Sequence, residues 1–183
     1  MALAAAFEEL TGRLRHLREC LDSVQVSLED IPVPGATVLE EQLGNSTLEL
    51  RGLLAETIVA AEEASRAAGQ SLDVERALRA LTKCQELFHQ MARRFAAELV
   101  SYDRIGDLIG LGQERRGEWL GWVGSVKDAI EGCRYPMDQV GDALFQCWRE
   151  IGERVGMNSV SVRTTNVGQH FASIRDLERE GIP

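Results

Sequence analysis

Apolar residues recur along most of this chain at alternating spacings of four and three. Because an α-helix has 3.6 residues per turn, positions spaced in this way return to one side of the helix, and we call such a line a stripe. The stripes are Leu3, Phe7, Leu10, Leu14, Leu17, Leu21, Val24 and Leu28; Leu39, Leu43, Ser46, Leu50, Leu53, Thr57, Ala60 and Ala64; Val74, Leu78, Leu81, Gln85, Phe88, Ala92, Phe95, Leu99 and Tyr102; Trp119, Val123, Val126, Ile130 and Cys133; and Met137, Val140, Leu144, Cys147 and Ile151. Amphipathic helices bury such stripes against one another, so the pattern predicts an all-α bundle of four to five long helices.

Prolines, glycines and capping residues divide these stripes into helices. Pro32 and Pro34 end the first helix, because each lacks an amide donor and biases its predecessor away from helical angles. The second should end at a left-handed Gly69, and Ser71 or Asp73 should cap the third. The predicted ranges are 3–29, 37–68, 71–109 at most, 114–133 and 136–155, with the last closed by Gly156.

The pattern changes after Gly156. Residues 159–165 alternate polar and β-branched side chains, which is typical of an extended strand, and 170–180 could form one short helix. The sequence therefore predicts two parts, a helical bundle over 1–156 and an extended or short-helical C-terminal tail over 157–183. The tail is expected to lie either in a groove of its own bundle or on another chain.

The formal charge of −9 restricts the classes of partner. Nucleic acids and anionic membranes are both bound through Lys and Arg, so an acidic chain is disfavoured for either role. The pairs at 93–94 and 115–116 are the most compact basic sites, but acidic residues are interleaved around them. No stretch approaches the roughly 18 apolar residues of a membrane span. Four scattered cysteines without a C-x-x-C pair fit a reducing compartment, and we expect a cytoplasmic protein.

Two pairs of residues could serve as metal ligands. Glu86 and His89 form one Glu-x-x-His, but a di-iron bundle needs that pair on two helices. His16 and Cys20 stand four apart on the first helix, where neighbouring arginines would oppose a cation. No strand–turn–helix setting for a nucleophile is present either. We therefore expect that the protein binds no metal ion or cofactor and that it is not an enzyme.

Three glycines in the fourth helix, at 117, 121 and 124, flank two tryptophans. A glycine inside a helix costs about 1 kcal/mol relative to alanine, so a cluster of them needs a reason. One interpretation is a close helix crossing inside the bundle, in which case Gly121→Leu should clash and destabilise the fold. The other is a groove or hinge for a partner.

These observations favour a non-catalytic protein–protein interaction module, such as a scaffold, an adaptor or a small subunit of a larger assembly. The expected partner is another protein or a second copy, bound through coiled-coil-like helical stripes or the tail. The alternatives are a metal- or cofactor-binding bundle, a helical nucleic-acid-binding subunit and an unrecognised enzyme. The candidate partner-binding residues are Trp119, Gly121, Trp122, Val160, Val162, Arg163 and Phe171.

Overall fold

The computed structural model describes residues 3–29, 37–70, 73–108, 116–154 and 156. All of them lie in α-helices except Asp73, Cys133 and Gly156, which confirms the all-α prediction for this part of the chain. The helices are α1 (Leu3–Glu29), α2 (Thr37–Gln70), α3 (Val74–Leu108), α4 (Arg116–Gly132) and α5 (Arg134–Arg154).

The helices form a four-cornered bundle with α4 and α5 sharing one corner. Each of α1 and α3 packs against α2 on one side and against the α4–α5 corner on the other, so α1 lies diagonally opposite α3. Arg15 Nη2 approaches Glu62 Oε1 at 3.4 Å, and Arg51 Nη2 approaches Asp22 Oδ1 at 2.8 Å. The earlier α1 residue thus pairs with the later α2 residue and the later one with the earlier, so the two helices run antiparallel.

Helices α2 and α3 form an antiparallel hairpin. Arg76 pairs with Glu63 at 3.1 Å near the connection, and Arg94 pairs with Glu49 at 2.7 Å farther away. The connection itself contains Asp73, whose carboxylate accepts a hydrogen bond from the Arg76 amide at 3.1 Å. That bond satisfies an amide at the start of α3 that has no partner inside the helix, so Asp73 is the predicted cap.

Gly69 does not end α2 in the predicted way. The helix continues to Gln70, and among the described glycines only Gly156 has a positive φ, at 69°. The Asp73 amide instead donates to the Ala67 carbonyl at 3.1 Å and closes the end of α2. A left-handed residue is therefore unnecessary at Gly69, whereas the prediction for Gly156 is confirmed.

A single residue, Cys133, separates α4 from α5. Pro136 lies in the first turn of α5 and has no amide hydrogen, so it cannot donate to the Gly132 carbonyl as a continuous helix requires. The Cys133 amide donates to Ile130 at 2.9 Å, and the Met137 amide donates to Cys133 at 3.0 Å. One tight turn before Pro136 thus divides the fourth corner into two helices.

The stripes of α1 and α5 form much of the core, as predicted. The α1 side chains from Leu3 to Val24 in its stripe are at most 2% exposed, and all five residues of the α5 stripe are buried. One glycine of α5 also touches a neighbouring helix: a Cβ on the buried Gly141 would stand 3.4 Å from Cζ of the Phe88 side chain in α3, an ordinary van der Waals distance.

The predicted stripes of α2 and α3 are shifted by one residue along part of their length. In α2, Thr47 and Leu54 are buried where Ser46 and Leu53 were expected, and both expected residues are only half-buried. In α3, Cys84 is buried where Gln85 was expected. Adjacent residues are about 100° apart around a helix. Where the stripe is shifted by one residue, the observed core face is therefore rotated relative to the predicted one, and the outward face is rotated by the same angle.

Candidate interaction surface

The outward face of α2 carries apolar side chains that the bundle does not bury. Leu48 is 64% exposed and Val59 is 61% exposed, and Gly52 and Ala55 between them are exposed as well. We call these four residues the α2 outer stripe. Their spacing of four, three and four places them on one line about 17 Å long, since each residue advances about 1.5 Å. On this helix they lie opposite the buried line that includes Leu50, Leu54 and Thr57.

The α2 sequence is apolar on both sides, which is why a core-facing stripe was assigned one residue away from its true position. Leu53 and Leu54 are adjacent, as are Ala60 and Ala61, and either member of each pair could serve the core. The structure buries Leu54 fully and keeps Leu53 half-buried. The residues of the outer stripe are themselves spaced four, three and four, as in a heptad. This spacing is the sequence feature from which a second apolar face on α2 could have been predicted.

Two charged residues beside the outer stripe, Glu49 and Arg51, form ion pairs with neighbouring helices. Glu49 pairs with Arg94 of α3 at 2.7 Å, and Arg51 pairs with Asp22 of α1 at 2.8 Å. These pairs cross from α2 to its two neighbours and are all partly exposed. Exposed ion pairs contribute about 0–1 kcal/mol each, so their main effect here is to hold the charged heads to either side of the apolar line.

Two of the three candidate partner-binding residues of α4, Trp122 and Gly121, differ in their exposure. Trp122 is 7% exposed and belongs to the hydrophobic core, so its indole is not presented to a partner in this fold. Gly121 is exposed, and a Cβ there would have nothing within 4 Å in the part of the chain that the structure describes. Trp119 lies in α4, but its side chain is outside what the structure describes. The interpretation of Gly121 as a close helix crossing is therefore wrong.

The exposure of Gly121 reverses the expected effect of substituting it. Gly121→Ala should raise the free energy of unfolding by about 1 kcal/mol and the melting temperature by about 2–4 °C, because alanine favours the helix and meets no neighbour. Gly141→Leu is the contrasting variant, since it would press on Phe88 and should cost about 1–3 kcal/mol. Thermal unfolding followed by circular dichroism measures both. A loss of stability in Gly121→Ala would show that the glycine face of α4 is packed.

The predicted tail residues Val160, Val162, Arg163 and Phe171 lie outside the described residues. Their role in partner binding stays a prediction from the sequence. The same holds for the strand at 159–165 and the short helix at 170–180.

The candidate metal ligands are not gathered into a site. Glu86 is exposed, and His89 Nε2 lies 3.5 Å from Gln85 Nε2. His16 Nδ1 lies 3.4 Å from Glu19 on the exposed side of α1. In the described ranges, no three residues among His, Cys, Asp and Glu are close enough together to hold a metal ion.

Three of the cysteine thiols, those of Cys84, Cys133 and Cys147, are buried in the core. Burial raises the pKa of Cys84 to about 12, and burial, with smaller contributions from the neighbouring Cys84, Glu9 and Glu150, raises that of Cys147 to about 12. Thiols react as thiolates, so these cysteines act as small apolar side chains at neutral pH. The Cys84 Sγ lies 3.7 Å from the Thr57 carbonyl across the α2–α3 interface.

Among the residues that the structure describes, two open surface grooves are lined mainly by charged side chains. One lies between α1 and α2, where Arg15 and Glu62 form an ion pair across it. The other lies beside the α2–α3 connection, where Arg76 and Glu63 do the same. Each groove carries residues of both signs, so neither presents a uniformly charged surface to a ligand.

The comparisons with known proteins assign no family. No protein-family model matches the chain, and no curated protein matches it. Among the helices in the described part of the chain, none is both long and apolar enough to cross a membrane.

Proposed function

We propose that the protein is a non-catalytic interaction module that binds another protein chain through the α2 outer stripe. The observation that carries this proposal is the pair Leu48 and Val59, which remain 64% and 61% exposed on a helix whose opposite face is already buried. Such a module would act as an adaptor or as a small subunit of a larger assembly.

The shape of the stripe suits a helical partner. A line of apolar residues spaced four, three and four is the pattern that one helix presents to another in a knobs-into-holes contact. Gly52 and Ala55 are small, so a second helix could approach the α2 backbone closely between the two larger residues. An apolar helix face with polar edges is a common means of recognising partner helices.

Binding of a partner at the outer stripe would be favourable because it buries exposed apolar surface. Burying it gains about 25 cal/mol for each Å² removed from water, and Leu48 and Val59 contribute most of that surface here. The bundle is already formed before a partner arrives, so little ordering of α2 is needed on binding. Pre-formed surfaces bind with a smaller entropic cost than segments that must fold.

A capture experiment tests the use of this face. The tagged parent chain, the double variant Leu48→Glu/Val59→Glu and the control Tyr135→Glu would be incubated with extract from the source cells, and bound proteins would be quantified. Tyr135 is 71% exposed and lies at the start of α5, so the control adds a charge at an exposed large side chain of another helix. We expect the double variant to lose about 10-fold or more of the proteins retained by the parent and the control. Equal capture by all three chains would contradict the proposal.

The predicted tail is a second candidate surface. Its sequence alternates polar and β-branched residues over 159–165, and an unpaired strand can add to an exposed edge on another chain. The outer stripe of α2 is the better supported of the two, because its exposure is described residue by residue.

A further inference from the structure

We draw no further inference here: the strongest candidate, the outward apolar face of α2 that includes Leu48 and Val59, belongs to the surface already described, and nothing in the described part of the chain shows what covers it.

Discussion

Leu14→Asp is expected to unfold the bundle or to reduce its free energy of unfolding by about 5 kcal/mol or more. Leu14 is 0% exposed and lies near the middle of the α1 stripe. The substitution removes apolar packing, which alone costs about 2–5 kcal/mol, and adds a carboxylate in a setting without a partner. The free energy of unfolding of a domain is only about 5–15 kcal/mol, so this one substitution removes a large part of it.

Arg18→Asp is the matched control for this prediction. It introduces the same side chain one turn along α1 at an exposed position, where substitutions usually change stability by less than about 0.5 kcal/mol. Urea unfolding followed by far-ultraviolet circular dichroism would measure both variants. If Leu14→Asp unfolded at the same urea concentration as Arg18→Asp, α1 would not be part of the core.

The sequence predicted α1 and α5 well for a physical reason. Their apolar residues are separated by polar ones, so only one face of each helix can be buried. Leu10, Leu14 and Leu17 have charged or polar residues on both sides, and the structure buries all three. Proline at 136 and glycine at 156 also placed the ends of α5 within two residues. Proline restricts the backbone and removes an amide donor, and glycine adopts a positive φ at little cost, and neither effect depends on distant contacts.

The sequence could not settle α2 in the same way. Several of its positions pair two apolar neighbours, so periodicity alone allowed a core face through Leu53 or through Leu54. The choice depends on which face meets α1 and α3, and that is a tertiary property. The outer stripe was missed for the same reason: Leu48 and Val59 lie outside the predicted α2 stripe, and their exposure follows only from the packing of α2 against α1 and α3.

Glycines were a misleading guide to close packing in α4. The cluster at 117, 121 and 124 attracted attention because glycine is costly in a helix, yet each of these positions has open space around it. Gly141 is a single glycine beside a regular stripe, and it lies in van der Waals contact with the Phe88 ring of another helix. Spacing shows which residues share a helix face, but it does not show which face another helix meets.

Two leucines on α2 have opposite expected effects, and their contrast is the second large prediction. Leu50 is 1% exposed and Leu48 is 64% exposed, although only two residues, or about 200° of helix, separate them. Leu50→Glu should cost about 5 kcal/mol, because it loses core packing and buries a charge. Leu48→Glu should change stability by less than about 0.5 kcal/mol, since leucine and glutamate have similar helix propensities and the site is open to water.

The most direct test of the α2 outer stripe as a free surface is the free energy of unfolding of Leu48→Glu, measured by urea at a protein concentration where the parent is monomeric. The low concentration matters because self-association would add apparent stability to the parent. We predict that Leu48→Glu unfolds at the same urea concentration as the parent. Leu50→Glu should unfold at a much lower urea concentration or be unfolded without urea. A loss in Leu48→Glu as large as that in Leu50→Glu would mean that the fold itself uses this face and that no surface on α2 is left for a partner.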